Sequence, residues 1–361
     1  MTDLPQLLPI VPTRVRRGYR GGSRLDALAG HTLPVDADRP EDWLASTVEA
    51  RNPGLAPEPL EGLTRVRLPS GEVALLRDLL LENSNLYLGA GYKTSDTCLT
   101  FIAKLLDAAN RLHVQAHPTS EFARARLGAP YGKLEVYYVL EVRPGCEGYL
   151  RLGFQRPPSR EEWRRIILQQ DIAAMDACFD PIPVKPGEVW IVPGGVPHAI
   201  GGGVLLVEVM EPSDLVVRCE FERDGVVVPP NGRFMGQDIE LCLDLFDCTP
   251  YPIGDATARF KLTPGRPSPD NGLEPLVGRD RTSCFELFRL RTPPGETTLP
   301  LLGRPSLLIQ TVGATELHNG TQRVALPRGA ACFVASASPP LTIGNNTRSE
   351  LLVVQPVSTL Q

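Results

Sequence analysis

Short apolar runs, alternating or β-branched and cut by turn formers, constrain this chain more than any other feature. They recur at Glu135–Val142, Glu188–Val192, Val204–Met210, Leu215–Glu220, Phe285–Leu290, Ser306–Thr311, Ala331–Ala335 and Leu351–Val354. Strands of this length bounded by turns predict an all-β sandwich or barrel. The 33 glycines and 36 prolines supply the interruptions, and helical periodicity is scarce.

Two helices are expected. One starts with Ser120 as N-cap and runs through Arg126 to a stop at Gly128. The other is SREEWRRIILQQDIAAMDACF, where Ser159 and Glu162 form a capping box and Trp163, Ile166, Ile167 and Ile172 form an apolar stripe. From roughly Thr249 to Leu276 the chain is rich in turn formers and poor in pattern. The expected organisation is an N-terminal domain over 1–255, a linker over 256–278 and a C-terminal domain over 279–361. A chain of 361 residues is long enough for two cores.

With 42% hydrophobic and 22% charged residues and a net charge of -5, the composition is that of an ordinary globular protein. The charge lies in no basic block or acidic tail, which argues against nucleic acid as a partner. No apolar run reaches membrane-spanning length, and the N-terminal stretch does not read as a signal peptide. All eight cysteines are isolated, with Cys98, Cys219, Cys242 and Cys332 in apolar runs. Free buried thiols fit a reducing, cytoplasmic setting.

Chemistry concentrates in a few stretches. In LHVQAHP, residues i and i+2 of an extended strand share a face, so Gln115 and His117 project side by side; a polar pair on a surface strand is the ordinary alternative. In PGEVWIVPGGVPHAIGGG an alternating strand ends in a turn that cannot continue a ladder, and His198 follows. The spacing from Gly187 to His198 resembles the second cupin motif, whose turn folds a histidine into a β-barrel, although a histidine there can also be a satisfied core residue. Glu135 opens a strand whose positions Glu135, Tyr137 and Val139 share a face, and a solvated strand-end carboxylate is its commonest alternative fate. Together Gln115, His117, Glu135 and His198 offer two imidazoles, a carboxylate and an amide oxygen, a set suited to a divalent first-row metal.

The ordered motifs resemble the type I mannose-6-phosphate isomerases, zinc-dependent double-cupin enzymes. Gln115-Ala116-His117-Pro118 stands at the family's Gln-x-His-Pro, Lys133-Leu134-Glu135 at its Lys-x-Glu, and His198 at its barrel histidine. Lys104 precedes the glutamine by eleven residues, and Glu208 and Arg218 flank Ser213-Asp214. Asp42-Trp43-Leu44-Ala45-Ser46 is similar to the family's Trp-x-x-Ser. The resemblance runs from about residue 20 to the C-terminus and is strongest from Phe101 to Arg218. It departs at Tyr19-Arg20-Gly21-Gly22, where a tryptophan usually precedes the glycine pair, at Glu211-Pro212, and at Cys219-Glu220-Phe221. The large helical insertion of eukaryotic relatives is missing, as in the short bacterial form. In the C-terminal half, the stretch from Gly329 to Pro340 parallels the one at Gly187 but lacks its proline, glycine and histidine, so the second barrel is expected to hold no ligands.

The resemblance implies two cupin (jelly-roll) barrels with a few helices, and one Zn²⁺ per chain in the first barrel, bound by Gln115, His117, Glu135 and His198. It implies interconversion of mannose 6-phosphate and fructose 6-phosphate through an enediol(ate). Arg218, Lys133 and Glu208 are the expected catalytic residues, and Lys104, Lys133 and Arg218 the expected contacts to the sugar phosphate. Lys104 in FIAKLL and Glu208 in VLLVEVM sit in apolar surroundings, where an unpaired charge is costly. The base is left open, and the chain is expected to be a monomer or small homo-oligomer. Two rivals remain: a sugar-phosphate-binding cupin without turnover or with another specificity, and a cupin oxygenase, whose usual His-x-His is here Gln115-x-His117.

Overall fold

In the computed structural model, which describes residues 4–90, 99–301 and 303–357, the apolar runs pair into antiparallel sheets that build an all-β molecule with a few short helices. A seven-stranded sheet forms one wall of the first barrel. Its strands, in order, are Lys261–Leu262, Val189–Val192, Glu135–Val142, Val204–Met210, Ile102–Asp107, Glu41–Ala45 and Arg14–Val15. The opposite wall has five short strands: Ile182–Pro183, Tyr149–Leu152, His198–Ile200, Gln115–Ala116 and Val217–Arg218. Val136, Val139, Leu206 and Val207 are buried, as the near-continuous apolar strands require.

Register aligns the chemistry-bearing side chains. On the seven-stranded wall, Trp43 lies opposite Lys104, Lys104 opposite Glu208, and Glu208 opposite Tyr137. On the five-stranded wall, His198 lies opposite Gln115, and Gln115 opposite Arg218. Directly opposed residues of an antiparallel pair share a face, so each wall carries one row of functional groups.

A second sandwich faces eight strands against four, with Leu290, Leu308, Leu317, Ile343, Leu351 and Val353 in its core. Its larger sheet is completed from the other end of the chain: Leu7–Val11 pairs with Ala331–Val334 and then with Arg65–Arg67. Residues 256–278, expected to be a linker, hold most of the helix Ile253–Phe260, the strand Lys261–Leu262 in the first barrel and Glu274–Val277 at the edge of the second. Turn-forming residues interrupt this stretch without removing its pairing partners.

The helices also differ from expectation. Thr119, not Ser120, caps Ser120–Phe122, its side chain accepting the Phe122 N–H at 3.0 Å. Ser120 Oγ donates to Glu211 instead. Gly128 does end the segment, at φ 63°. Ser159 caps Arg160–Gln169, but Gln170 turns left-handed and Asp171 caps a separate helix, Ile172–Ala177. Cys219, Cys242 and Cys332 are buried free thiols, while Cys98 lies outside the described residues. Among the described residues, no helix is long and apolar enough to cross a membrane.

The Pro193-Gly194-Gly195 turn fixes one wall against the other. Gly195 N–H donates to the His117 carbonyl at 2.7 Å, and a Cβ on Gly194 would lie 2.7 Å from both the Pro118 carbonyl oxygen and Thr119 Cα. Gly194→Ala should therefore cost about 1–3 kcal/mol, seen as a lowered melting temperature. Gly254→Ala, in open space, should cost nothing; equal melting of both variants would refute the packing argument. On the strand Glu41–Ala45 of the seven-stranded wall, Asp42 accepts the Thr13 N–H, and burial pushes its carboxyl from 3.8 up to about 6. The folded state then holds a proton that the unfolded chain has released, so this group's contribution to stability falls as pH rises from about 4 to 6. Asp42→Asn keeps the acceptor and removes the charge. Its stability relative to wild type should climb across that window, by about 1–3 kcal/mol in all, in denaturant melts at stepped pH; a flat difference would refute it.

Candidate metal centre and active site

His117, Glu135 and His198 bring ligand atoms within 4.8 Å of one another, and all three are buried. They come from the two facing walls: Glu135 begins an inner strand of the larger sheet, and His198 begins a strand of the smaller one. His117 follows the two-residue strand Gln115–Ala116, which is shorter than the alternating run suggests because Pro118 cannot donate to a ladder.

The two imidazoles are fixed by backbone carbonyls. His117 Nδ1 lies 2.8 Å from the Leu215 oxygen and His198 Nδ1 2.9 Å from the Val196 oxygen. A carbonyl can only accept, so each Nδ1 carries the proton and each Nε2 of a neutral ring presents a lone pair. Those lone pairs face one carboxylate: His117 Nε2 is 3.0 Å from Glu135 Oε1, and His198 Nε2 is 3.4 Å from Oε2. Burial holds the His117 imidazole down at about 4 against the opposing pull of Glu135. Burial would raise the Glu135 carboxyl, but His117 and Lys133 hold it well below the usual carboxylate range. His117 Nε2 is a buried atom without a hydrogen-bond partner. Two lone pairs turned on a carboxylate repel unless a cation stands between them. Ligands about 2.1 Å from a tetrahedral first-row cation lie about 3.4 Å apart, so the donor spacing fits one. The Gln115 amide is 3.4 Å from His198 Nε2, and its oxygen reaches the same place if the amide is turned over.

Around this centre the charges alternate. Lys133 Nζ is 3.1 Å from Glu135 and 4.0 Å from Asp214; Arg17 joins Asp214 at 3.0 Å to Glu41 at 2.8 Å; Lys104 joins Glu41 at 3.1 Å to Glu208 at 3.2 Å. Tyr19 and Trp43 also donate to Glu41, and Tyr137 donates to Glu135. With Arg17 and Lys104 beside it, Glu41 is held well below the usual range. Glu208 goes the other way, pushed up to about 8 by burial and by the charge of Glu135, with Lys104 only partly offsetting. Its Oε1 is buried without a partner.

All of these but Trp43, together with Gln115 and Arg218, line an inner cavity of about 50 Å³, room for a few waters. Beyond it lies a cleft of about 580 Å³, which shares Arg17, Gly18, Tyr19 and Arg218 with the cavity. Every site residue expected from the sequence is brought to this region. Lys104 and Lys133 are buried, each between two carboxylates, whereas Arg218 forms no ion pair among the described residues and donates from Nη1 to the Gly232 carbonyl at 2.8 Å.

Sequence reasoning gave no role to Arg17, Tyr19, Glu41, Asp214 or His113, all of which line the cavity. Glu41 has a faint signal, an acid entering the otherwise buried strand EDWLA. Arg17 and Tyr19 lie on a segment without periodic pattern, and their partners are distant in sequence.

No family model matches the chain. Over 226 residues, 62% of the chain, it is 29% identical to the mannose-6-phosphate isomerase of Streptococcus mutans, and it spans 63% of the length of that relative. Among solved structures, the mannose 6-phosphate isomerase of Bacillus subtilis superposes with a TM-score of 0.72 at 18% identity, over 97% of this chain and 99% of that one. A zinc-bound mannose 6-phosphate isomerase superposes with a TM-score of 0.71 at 17% identity, over 98% and 100%. The expected resemblance thus holds in sequence with curated proteins that bear that name, and along almost the whole chain in fold.

Proposed function

We propose that this chain is a zinc-dependent, double-cupin aldose–ketose isomerase interconverting mannose 6-phosphate and fructose 6-phosphate. One observation carries the proposal: two buried imidazoles whose Nδ1 protons are spent on backbone carbonyls turn their Nε2 lone pairs onto one carboxylate. The similarity to mannose-6-phosphate isomerases, one of them zinc-bound, supports the substrate and the metal. In this assignment Gln115, His117, Glu135 and His198 hold a single zinc, which when bound supplies Lewis-acid stabilisation of negative charge on the sugar oxygens.

The protein groups divide the remaining work. Glu208 holds a proton near neutral pH, lines the cavity and has a free oxygen, so it carries protons between C1 and C2 or orients the group that does. Lys104 fixes its other oxygen. Lys133 balances Glu135 and borders the reacting sugar. Because both lysines already serve carboxylates, the phosphate falls chiefly to Arg218, at the junction of the inner cavity and the outer cleft. Residues 1–255 then hold the chemistry, 256–278 join the two parts, and 279–361 form most of a barrel without ligands; the only cluster of three metal-binding side chains among the described residues is the one above. Seven described cysteines, all free, suit a cytoplasmic monomer or small homo-oligomer.

Chelation should abolish production of fructose 6-phosphate from mannose 6-phosphate in a coupled assay, and added zinc should restore it. His117→Ala should lose both bound metal and turnover; a full equivalent of metal with normal activity would overturn the assignment. Glu208→Gln should keep the metal and lose at least about a hundredfold in kcat, with C2–H exchange into D₂O falling in parallel by proton NMR. Unchanged exchange would remove Glu208 from the proton path.

A further inference from the structure

Three buried polar atoms without hydrogen-bond partners belong to the inner site: His117 Nε2, Glu208 Oε1 and His113 Nε2. Metal binding accounts for the first and proton transfer for the second. The third belongs to a residue that neither role uses, and an orphaned buried polar atom calls for a partner.

His113 precedes Gln115 by two residues, is 6% exposed, and lines the same cavity as Gln115, Glu208 and Arg218. Its ring nitrogens are surrounded by fixed groups. The Val226 carbonyl faces the ring and takes the N–H of one nitrogen. Nε2, which has no partner, then turns an acceptor lone pair into a cavity lined beside it by Leu112, Gln115, Lys133 and Arg218. A phosphate cannot donate to it, but a sugar hydroxyl can. The inner cavity is too small for a whole sugar phosphate, so the reacting end enters past the Arg17–Tyr19 segment while the phosphate stays towards Arg218 and the larger cleft. His113 lines the inner cavity together with Arg218, which both spaces share.

We propose that His113 is a substrate-binding residue whose unpartnered ring nitrogen accepts a hydrogen bond from a hydroxyl of the open-chain sugar, and so helps the site select polyhydroxylated phosphates. This rests on the sugar-phosphate assignment above. The test is His113→Phe, which keeps a planar ring and removes both nitrogens, beside His113→Gln, which restores an acceptor. Metal content, melting temperature, kcat, KM and calorimetric affinity for mannose 6-phosphate and its deoxy analogues would be measured. The Phe variant should keep one metal and its kcat while KM rises about tenfold, the equivalent of one lost neutral hydrogen bond. Gln should recover part of the loss. One deoxy analogue should bind wild type and the Phe variant equally, identifying the hydroxyl. An unchanged KM in a metal-loaded Phe variant overturns the proposal, as does a rise that follows loss of metal. If wild type binds no sugar phosphate at all, the sugar-phosphate assignment itself fails, an outcome the calorimetry separates from failure at His113.

Discussion

The site depends on two hydrogen bonds that involve no functional atom. Each histidine gives its Nδ1 proton to a peptide carbonyl, His117 to Leu215 and His198 to Val196. The carbonyls belong to the segments that lead into His198–Ile200 and Val217–Arg218, the two strands flanking Gln115–Ala116, so the ring orientations are set by the backbone path. Outer contacts of this kind fix both the tautomer and the direction of a ligand. A buried imidazole held neutral, as that of His117 is, beside an ionised carboxylate is unfavourable for folding alone; the arrangement makes sense as preparation for a cation.

The same logic extends through the charge network. Arg17 has no access to the imidazoles, yet it neutralises Glu41 and Asp214, which hold Lys104 and Lys133 in place. Those lysines in turn reach Glu208 and Glu135. Buried ion pairs repay their desolvation only when geometry and extra hydrogen bonds are good. Here Tyr19, Trp43 and the Arg51 N–H complete the carboxylates. The two carboxylates at the ends of the chain meet different surroundings. Glu135 has Lys133 and two imidazoles and stays ionised, whereas Glu208, ion-paired with Lys104, is pushed up to about 8 by burial and by the field of Glu135. Separating two acids in this way is how one cavity holds a charge and a proton together.

Much of this was legible because ligands cluster in short stretches. A glutamine and a histidine two apart before a proline, and a glycine-rich turn before a histidine, encode local geometry that strand periodicity and turn chemistry decode. The central strands, Glu135–Val142 and Val204–Met210, emerge with the expected bounds for the same reason. What stayed hidden is non-local. Arg17 contacts Asp214, 197 positions away, and Leu7–Val11 pairs with a strand more than 300 residues later. A run of one arginine or one short strand carries no trace of such partners. The single expected helix after Ser159 failed on a local matter, a left-handed Gln170 that periodicity cannot see.

The pairing of the chain's two ends explains what the second barrel contributes. Leu7–Val11 is bound to Ala331–Val334 on one side and to Arg65–Arg67 on the other, and a few residues later the chain delivers Arg17 and Tyr19 to the cavity. That segment has little regular structure of its own to fix it. It is anchored upstream by the second barrel's sheet and downstream by Gly21, where a Cβ would stand 1.7 Å from the Asp107 carbonyl oxygen. Asp107 Oδ2 also accepts the Gly22 and Arg24 N–H groups, and Asp107 ends the strand that carries Lys104. The second barrel therefore acts on the chemistry through position: it holds one end of the loop whose arginine balances the site, while a close glycine contact holds the other.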